Sequence, residues 1–173
     1  MTGRCLIVAN QTLGGGALER AVKDSVSRGV GLFYVVVPTI ASRDEAMDWS
    51  GGFAVGDEVS PTSTRAAAEE NERRLAEAAR RREAVLAEAR NRAEERLEQM
   101  IERIQLDGGQ AAGEVGADDP LEATRAVLAH QAPFDEIIVS TLPRRLSRWL
   151  RLDLPARIGR LARVPVTTVE ADD

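Results

Sequence analysis

Residues 135–151 read DEIIVSTLPRRLSRWLR, and in this stretch a short apolar run opens into Ser, Thr and a group of arginines. Residues 136–139 have the length and the β-branched side chains of a buried parallel strand. Ser140 and Thr141 follow directly, where open parallel α/β sheets place their ligands. We therefore expect any binding site of this chain to lie at the end of this strand.

The rest of the chain alternates apolar runs with helical segments. Further strands are expected at residues 4–9, 32–37, 111–115 and 164–169, and helices at about 17–28, 63–105 and 120–131. Such alternation implies right-handed crossovers and helices on both faces of a parallel sheet. The predicted fold is a doubly wound, five-stranded parallel α/β sheet in a single domain over residues 1–173. Pro165 lacks an N–H group, so the last strand should lie at an edge or begin at this residue.

Composition narrows the classes of function. A net charge of −5 argues against a general nucleic-acid binder, because neutralising phosphates needs a basic surface. Cys5 is the single cysteine, which leaves no intramolecular disulfide and fits a reducing compartment. Neither a signal peptide nor a membrane span is visible, so we expect a cytoplasmic protein without membrane contact. His130 is the single histidine and is assigned no role.

Two segments go beyond a minimal five-stranded unit. The connection at residues 38–62 contains Trp49 and Phe53, which predict a loop packed on its own domain. A mobile lid and an interface contact are the alternatives.

The second segment, residues 63–105, is a long helix rich in Ala, Glu and Arg. It contains neither Gly nor Pro, and its Glu/Arg pairs at i, i+4 include 69/73, 70/74, 77/81 and 88/92. Large apolar residues are sparse before residue 97, and a sustained heptad seam is absent. The first half is thus either a solvated extension or a surface covered by a partner helix in an antiparallel dimer. A homodimer through this helix or through the C-terminal edge strand is expected.

The order of these elements resembles that of the universal stress protein family. The segments that carry the resemblance are RCLIVANQT at the start, LFYVVVP, VGADDPLEATRAVLA, FDEIIVST and RVPVTTVE at the end. The resemblance implies the fold of the adenine-nucleotide-hydrolase-like superfamily, with ATP or AMP as the candidate ligand. It also implies a contact to the nucleoside after the first strand, at a position where this chain has Asn10, with Thr12 nearby.

The family's phosphate-binding glycine motif is absent after the fourth strand. Thr141 and Arg144 stand where its first two glycines belong, and Leu152-Asp153 stand where its Gly-Ser/Thr pair belongs. Glycine lets the backbone approach a phosphate closely, and Pro143 removes one N–H donor. The family's usual ATP site is therefore not expected in its standard form.

An arginine-rich site could replace that motif, since Arg binds phosphate bidentately without needing glycine. The alternative is an amphipathic helix at 145–151, whose arginines would simply be solvated; a membrane-surface helix is disfavoured because Asp153 and Pro155 interrupt it. Gly14-Gly15-Gly16 precedes the first helix and should meet the fourth strand at the same edge of the sheet. The candidate ligand-binding residues are Asn10, Thr12, Gly14, Gly15, Ser140, Thr141, Arg144, Arg145 and Ser147.

Three functions follow as hypotheses. The first is a non-catalytic, universal-stress-like binding or regulatory protein for a nucleotide or another phosphate-containing ligand, because no catalytic or metal-binding motif is visible. The second is an enzyme of the same nucleotide-binding superfamily. The third is a structural interaction module that acts through the long helix.

Overall fold

The computed structural model describes residues 2–9, 11–39, 65–131, 133–143 and 153–171. The chain divides into two compact units, one of Met1–Ile40 with Asn91–Asp173 and one of Ala41–Arg90. The single-domain organisation over 1–173 stays a prediction. The predicted loop at 38–62 lies outside the described residues from residue 40 onward, while Pro38 and Thr39 continue from the second strand.

The described elements alternate between strands and helices, as the sequence predicts. In chain order they are β1 Gly3–Val8, α1 Gly16–Ser27, β2 Val30–Pro38, α2 Arg65–Leu106, β3 Gln110–Gly116, α3 Pro120–His130, β4 Glu136–Thr141, α4 Leu154–Ala162 and β5 Val166–Glu170. The strands form one sheet in the order β3-β2-β1-β4-β5, with parallel pairing throughout. The doubly wound parallel fold is confirmed.

Strand β1 lies at the centre of the sheet. Its Cys5 aligns with Phe33 of β2 on one side and with Glu136 of β4 on the other. The order of connection reverses between β1 and β4, which makes the gap beyond their carboxyl ends the topological switch point. Strand β5 forms an edge and begins directly after Pro165, as its missing N–H group predicts.

Each face of the sheet carries its own apolar core. On one face, Ile7 and Val35 pack with Leu18 of α1 and Met100 of α2. On the other face a second cluster joins the alternate strand residues to α3 and α4, and it contains Leu6, Val8, Val36, Leu121, Val127, Ile137, Val139, Leu154 and Ile158. The alternation of side chains along each strand produces this division.

Ion pairs join α1 to the C-terminal end of α2 and to the residue that follows it. Glu19 in the first turn of α1 pairs with Arg103. One turn further on, Lys23 lies 3.6 Å from Asp107. The two helices therefore run side by side over the same face of the sheet.

The unit Ala41–Arg90 is described from residue 65, as the first part of α2. Two of the predicted i, i+4 pairs form here, Glu70 with Arg74 at 3.2 Å and Glu77 with Arg81 at 2.5 Å. Glu69 instead pairs with Arg65. The side chains of residues 67–84 are exposed to solvent. Local ion pairs and helix propensity are therefore the visible sources of helix stability in this stretch.

Two details differ from the sequence-based expectations or add to them. Strand β4 extends through Ser140 and Thr141, which belong to the strand and not to the loop after it. The sequence gives no bounds for the helix before the last strand, and the structure places it as α4, where Leu154, Ile158 and Leu161 have helical spacing and Pro155 suits a first turn. None of the helices in the described part of the chain combines the length and the apolarity that crossing a membrane requires.

Candidate functional site

The candidate site lies where β1 and β4 end side by side. Val8 of β1 aligns with Val139 of β4, so the residues that follow these two emerge at the same edge of the sheet. Ser140 and Thr141 complete β4, and the loop with Thr12, Gly14 and Gly15 joins β1 to α1. The topology therefore brings the described members of the predicted site to one edge, at the switch point.

Ser140 is the most deeply buried polar residue of this edge. Its side chain is 1% exposed, and its Oγ has no hydrogen-bond partner among the residues that the structure describes. Ser140 lies on the same side of the strand as Ile138, which packs in the core beneath α1 and α2. The neighbouring Thr141 differs, because its Oγ1 donates to the carbonyl oxygen of Leu142 at 3.0 Å. Only Ser140 of this pair therefore keeps an unused hydroxyl.

Thr12 repeats this arrangement on the opposite side of the switch point. The side chain is 5% exposed, and Oγ1 has no hydrogen-bond partner in the described part of the chain. Its carbonyl oxygen accepts from the N–H group of Gly15 at 3.0 Å, which closes the turn before α1. A buried hydroxyl without a partner costs about 1–3 kcal/mol. Two such groups at one edge are unusual, because folded proteins satisfy nearly all of their buried polar groups.

The start of α1 adds backbone N–H donors to this edge. Its N-cap residue Gly15 is extended and offers no side-chain hydrogen bond to the first turn. The first N–H groups of a helix have no partner within the helix and lie at the positive end of its dipole. A Cβ added at Gly14 would meet no atom within 4 Å, so the loop borders open space. A cleft of about 310 Å³ adjoins this loop and is lined by Leu13, Gly14, Arg96, Gln99, Met100 and Arg103, among others.

The predicted site residues divide into two groups. The structure brings Thr12, Gly14 and Gly15 to the same edge as Ser140 and Thr141. The remaining predicted residues, Asn10, Arg144, Arg145 and Ser147, lie outside the described residues. Among the residues that the structure does describe, no three His, Cys, Asp or Glu side chains are grouped in a way that could hold a metal ion.

Sequence reasoning missed a polar cluster at the opposite, amino end of β4. Ser25 of α1 is fully buried and donates to Glu136 at 2.5 Å, and Arg28 pairs with the same carboxylate at 2.9 Å. Burial, together with the carboxylate of Glu136, raises the pKa of the Cys5 thiol far above its ordinary value. The three polar groups satisfy one another, which makes this cluster a structural tie between α1 and β4.

A second missed cluster lies on the α3 face of the sheet. Tyr34 of β2 donates to Glu114 of β3 at 2.7 Å, and His130 at the end of α3 lies 3.1 Å from the same carboxylate oxygen. Burial and the contact with Glu114 raise the pKa of Tyr34 to about 12. The sequence signal was the position of Tyr34 and Glu114 on one face of adjacent strands, but finding it requires the register of β2 with β3.

Solved structures of universal stress proteins are similar to this chain over nearly its whole length. One universal stress protein from Archaeoglobus fulgidus shares 11% identity with a TM-score of 0.48, over 98% of this chain and 93% of its own. A structure of the universal stress protein from the same organism in complex with dAMP shares 12% identity with a TM-score of 0.46, over 98% of both chains. No protein-family model matches the sequence, and no curated protein matches it significantly. At these identities and TM-scores the similarity carries no argument about the ligand.

Proposed function

We propose that this chain is a non-catalytic binding protein for a small phosphate-containing ligand, held at the carboxyl ends of β1 and β4. The observation that carries the proposal is the pair of buried hydroxyls of Thr12 and Ser140, one on each side of the switch point. Neither hydroxyl has a hydrogen-bond partner among the described residues. A ligand that accepts hydrogen bonds from both would satisfy them. The fold would then recover the free energy that their burial costs.

The chemistry of this edge favours an anionic group. Both hydroxyls can donate, and the N–H groups at the start of α1 are donors at the positive end of a helix. The open space beside Gly14 leaves room for a ligand to approach the backbone. A phosphate oxygen is an acceptor that uses all of these donors, so nucleotides such as ATP or AMP and simpler phosphates are the ligand class.

Binding is favoured over catalysis by the environment of Ser140. A serine nucleophile needs a general base within hydrogen-bond reach. No group in the described part of the chain accepts a hydrogen bond from Ser140 Oγ. An enzyme of the same superfamily remains the rival hypothesis, and a measurement of phosphate release from ATP separates the two.

The proposal is tested by thermal unfolding with ATP, ADP, AMP or inorganic phosphate at millimolar concentration. A ligand at about 100 times its Kd stabilises the folded state by about 2.7 kcal/mol, which raises the Tm. Ser140→Ala and Thr12→Val should remove this rise. Because the hydroxyls they delete have no partner among the described residues, neither variant should lower the Tm of the free protein.

Thr124→Val is the matched control, since it deletes a buried hydroxyl that is already bonded, at 2.7 Å, to the carbonyl oxygen of Pro120. It should lower the Tm of the free protein and keep the ligand-dependent rise. Absence of a rise in Tm with every ligand would overturn the proposal, as would a rise that is unchanged in Ser140→Ala.

Arg144→Ala separately tests the sequence-based prediction that an arginine takes part in ligand binding. Phosphate release that Ser140→Ala abolishes would favour the enzyme.

A further inference from the structure

The first part of α2 carries a short stripe of residues on one helical face. Its members lie at spacings of four, three, four, three and four, which keeps them on the same side of a helix. We call it the 68–86 stripe, and it consists of Ala68, Glu72, Leu75, Ala79, Arg82 and Leu86. Leu75 is 63% exposed and Leu86 is 46% exposed, and both are among the few large apolar side chains on the described surface.

The order of residues in the 68–86 stripe is symmetric about residue 77. If a second copy of the helix packs antiparallel with a two-fold axis at this residue, each member faces a different member of the other helix. Ala68 then faces Leu86, and Leu75 faces Ala79. The remaining position pairs Glu72 with Arg82. We call each set of facing residues a layer of the helix pair. Every layer then combines either a large with a small apolar residue or two opposite charges, so the two helices can approach closely.

A parallel pair in register has none of this complementarity. It would place Glu72 against Glu72 and Arg82 against Arg82, and like charges at facing core positions disfavour a pairing strongly. The stripe is thus complementary to itself in one orientation. This self-complementarity is what a two-fold, isologous interface requires.

We propose that residues 68–86 of α2 form an antiparallel helix pair with a second copy of this chain. The stripe covers 19 residues, which correspond to about 28 Å of helix. The pair buries the two exposed leucines and places Glu72 of each chain opposite Arg82 of the other. This interaction uses none of the residues at the ends of β1 and β4, so it stands or falls independently of ligand binding.

Sedimentation equilibrium of the full chain over a range of concentrations tests the proposal. Wild-type protein should form a dimer. Glu72→Arg creates two Arg–Arg layers and Arg82→Glu creates two Glu–Glu layers, so each variant should weaken the dimer by about tenfold or more. The exchanged variant E72R/R82E restores opposite charges in both layers and should restore the dimer. In a parallel pair each single change would still leave like charges facing each other at positions 72 and 82, and no such rescue would occur.

Glu77→Arg is the matched control, because it makes the same change of charge on the opposite face of the helix. It should leave the dimer unchanged, and far-ultraviolet circular dichroism should show that all variants keep their helix content. A wild-type chain that stays monomeric would overturn the proposal. A dimer that neither single charge reversal weakens would overturn it as well, since its interface would lie elsewhere.

Disulfide cross-linking gives a second, independent readout of orientation. A mixture of Leu75→Cys chains with Ala79→Cys chains should form cross-linked dimers under mild oxidation, because these positions face each other only in the antiparallel pair. Leu75→Cys alone should cross-link poorly, since a disulfide needs Cα atoms within about 7 Å. Cys5 is fully buried and does not compete. Faster cross-linking of Leu75→Cys alone would indicate a parallel pair and overturn the proposal.

Discussion

Tyr34 is a residue whose chemistry is set by two neighbouring strands and a helix. Its hydroxyl is held by Glu114, and burial together with this carboxylate raises the pKa of Tyr34 to about 12. Phenolate is the charged form, so the folded state binds this proton more tightly than the unfolded chain does. The stability that this tighter proton binding provides is fully present below the ordinary tyrosine pKa of about 10. It is lost as the pH rises from about 10 to about 12.

We predict that the ultraviolet absorbance of phenolate will titrate with a midpoint near 12 in the folded protein. The chain has a single tyrosine, so the signal belongs to Tyr34 alone. Glu114→Gln removes the negative charge and should move the midpoint toward 10. Circular dichroism recorded in parallel identifies the pH at which the chain unfolds. A midpoint near 10 in folded wild-type protein would show that neither burial nor the contact with Glu114 raises the pKa of Tyr34.

For individual residues, part of the candidate site could be predicted from the sequence. Ser140, Thr141 and the Gly14-Gly15 loop could be placed at one edge because a parallel strand followed by polar residues has one typical position in this fold. That Thr12 and Ser140 keep unpaired hydroxyls while Thr141 does not could not be predicted. Hydrogen-bond partners depend on side-chain directions and register, which spacing alone does not contain.

Strand β3 packs closely against β2 and α2 at Gly113, where the absence of a Cβ makes the contact possible. A Cβ at Gly113 would lie 2.3 Å from the carbonyl oxygen of Val35 and 2.7 Å from Cδ1 of Leu97. Gly113→Ala should therefore destabilise the protein by about 1–3 kcal/mol through overpacking of α2 on the sheet. Urea unfolding measures the change.

A glycine-to-alanine substitution should instead stabilise the protein in a helix that has room for the added Cβ. Gly159 lies inside α4, and a Cβ there would meet Val166 at 3.5 Å, which is an ordinary contact. Because alanine favours helix over glycine, Gly159→Ala should stabilise the protein by about 0.5–1 kcal/mol. Equal effects of the two substitutions would contradict the packing described for β3.

Most elements could be predicted because their periodicity and their end signals agree. Asp119 and Pro120 begin α3 as expected, with the Asp119 carboxylate accepting from the N–H groups of Leu121 and Glu122 at 2.8 and 2.9 Å. The bounds of helix α4 could not be predicted, because the helix is nine residues long and starts next to Pro155, a residue type that also ends helices. Tertiary packing of Leu154 and Ile158 decides its conformation.

At the scale of the whole molecule, Cys5 reports on the integrity of the sheet. It is fully buried in the central strand, and burial raises the pKa of its thiol, so the folded protein presents neither an accessible nor an ionised sulfur. We predict that an aromatic disulfide reagent will label native protein only through unfolding. The free energy of unfolding from labelling should then match that from urea.

The high pKa of Cys5 in the folded state also makes the stability of the protein depend on pH. Above the ordinary thiol pKa of about 8.5 the unfolded chain loses the Cys5 proton while the folded chain retains it. Stability should therefore fall as the pH rises beyond this value, and Cys5→Ala should remove this part of the decline. Labelling that proceeds at the same rate without denaturant as in the unfolded chain would show that β1 is not protected by its neighbours.

The central position of β1 also matters while the chain is being synthesised. The backbone of Arg4 exchanges hydrogen bonds with Asp135, 131 residues later, and β4 follows immediately. At about 5–20 residues per second, a ribosome needs roughly 7–26 s to supply that partner. During this interval the first strand made has an open edge, which is a template for pairing with other chains. We expect the nascent protein to depend on chaperones until its last third has emerged.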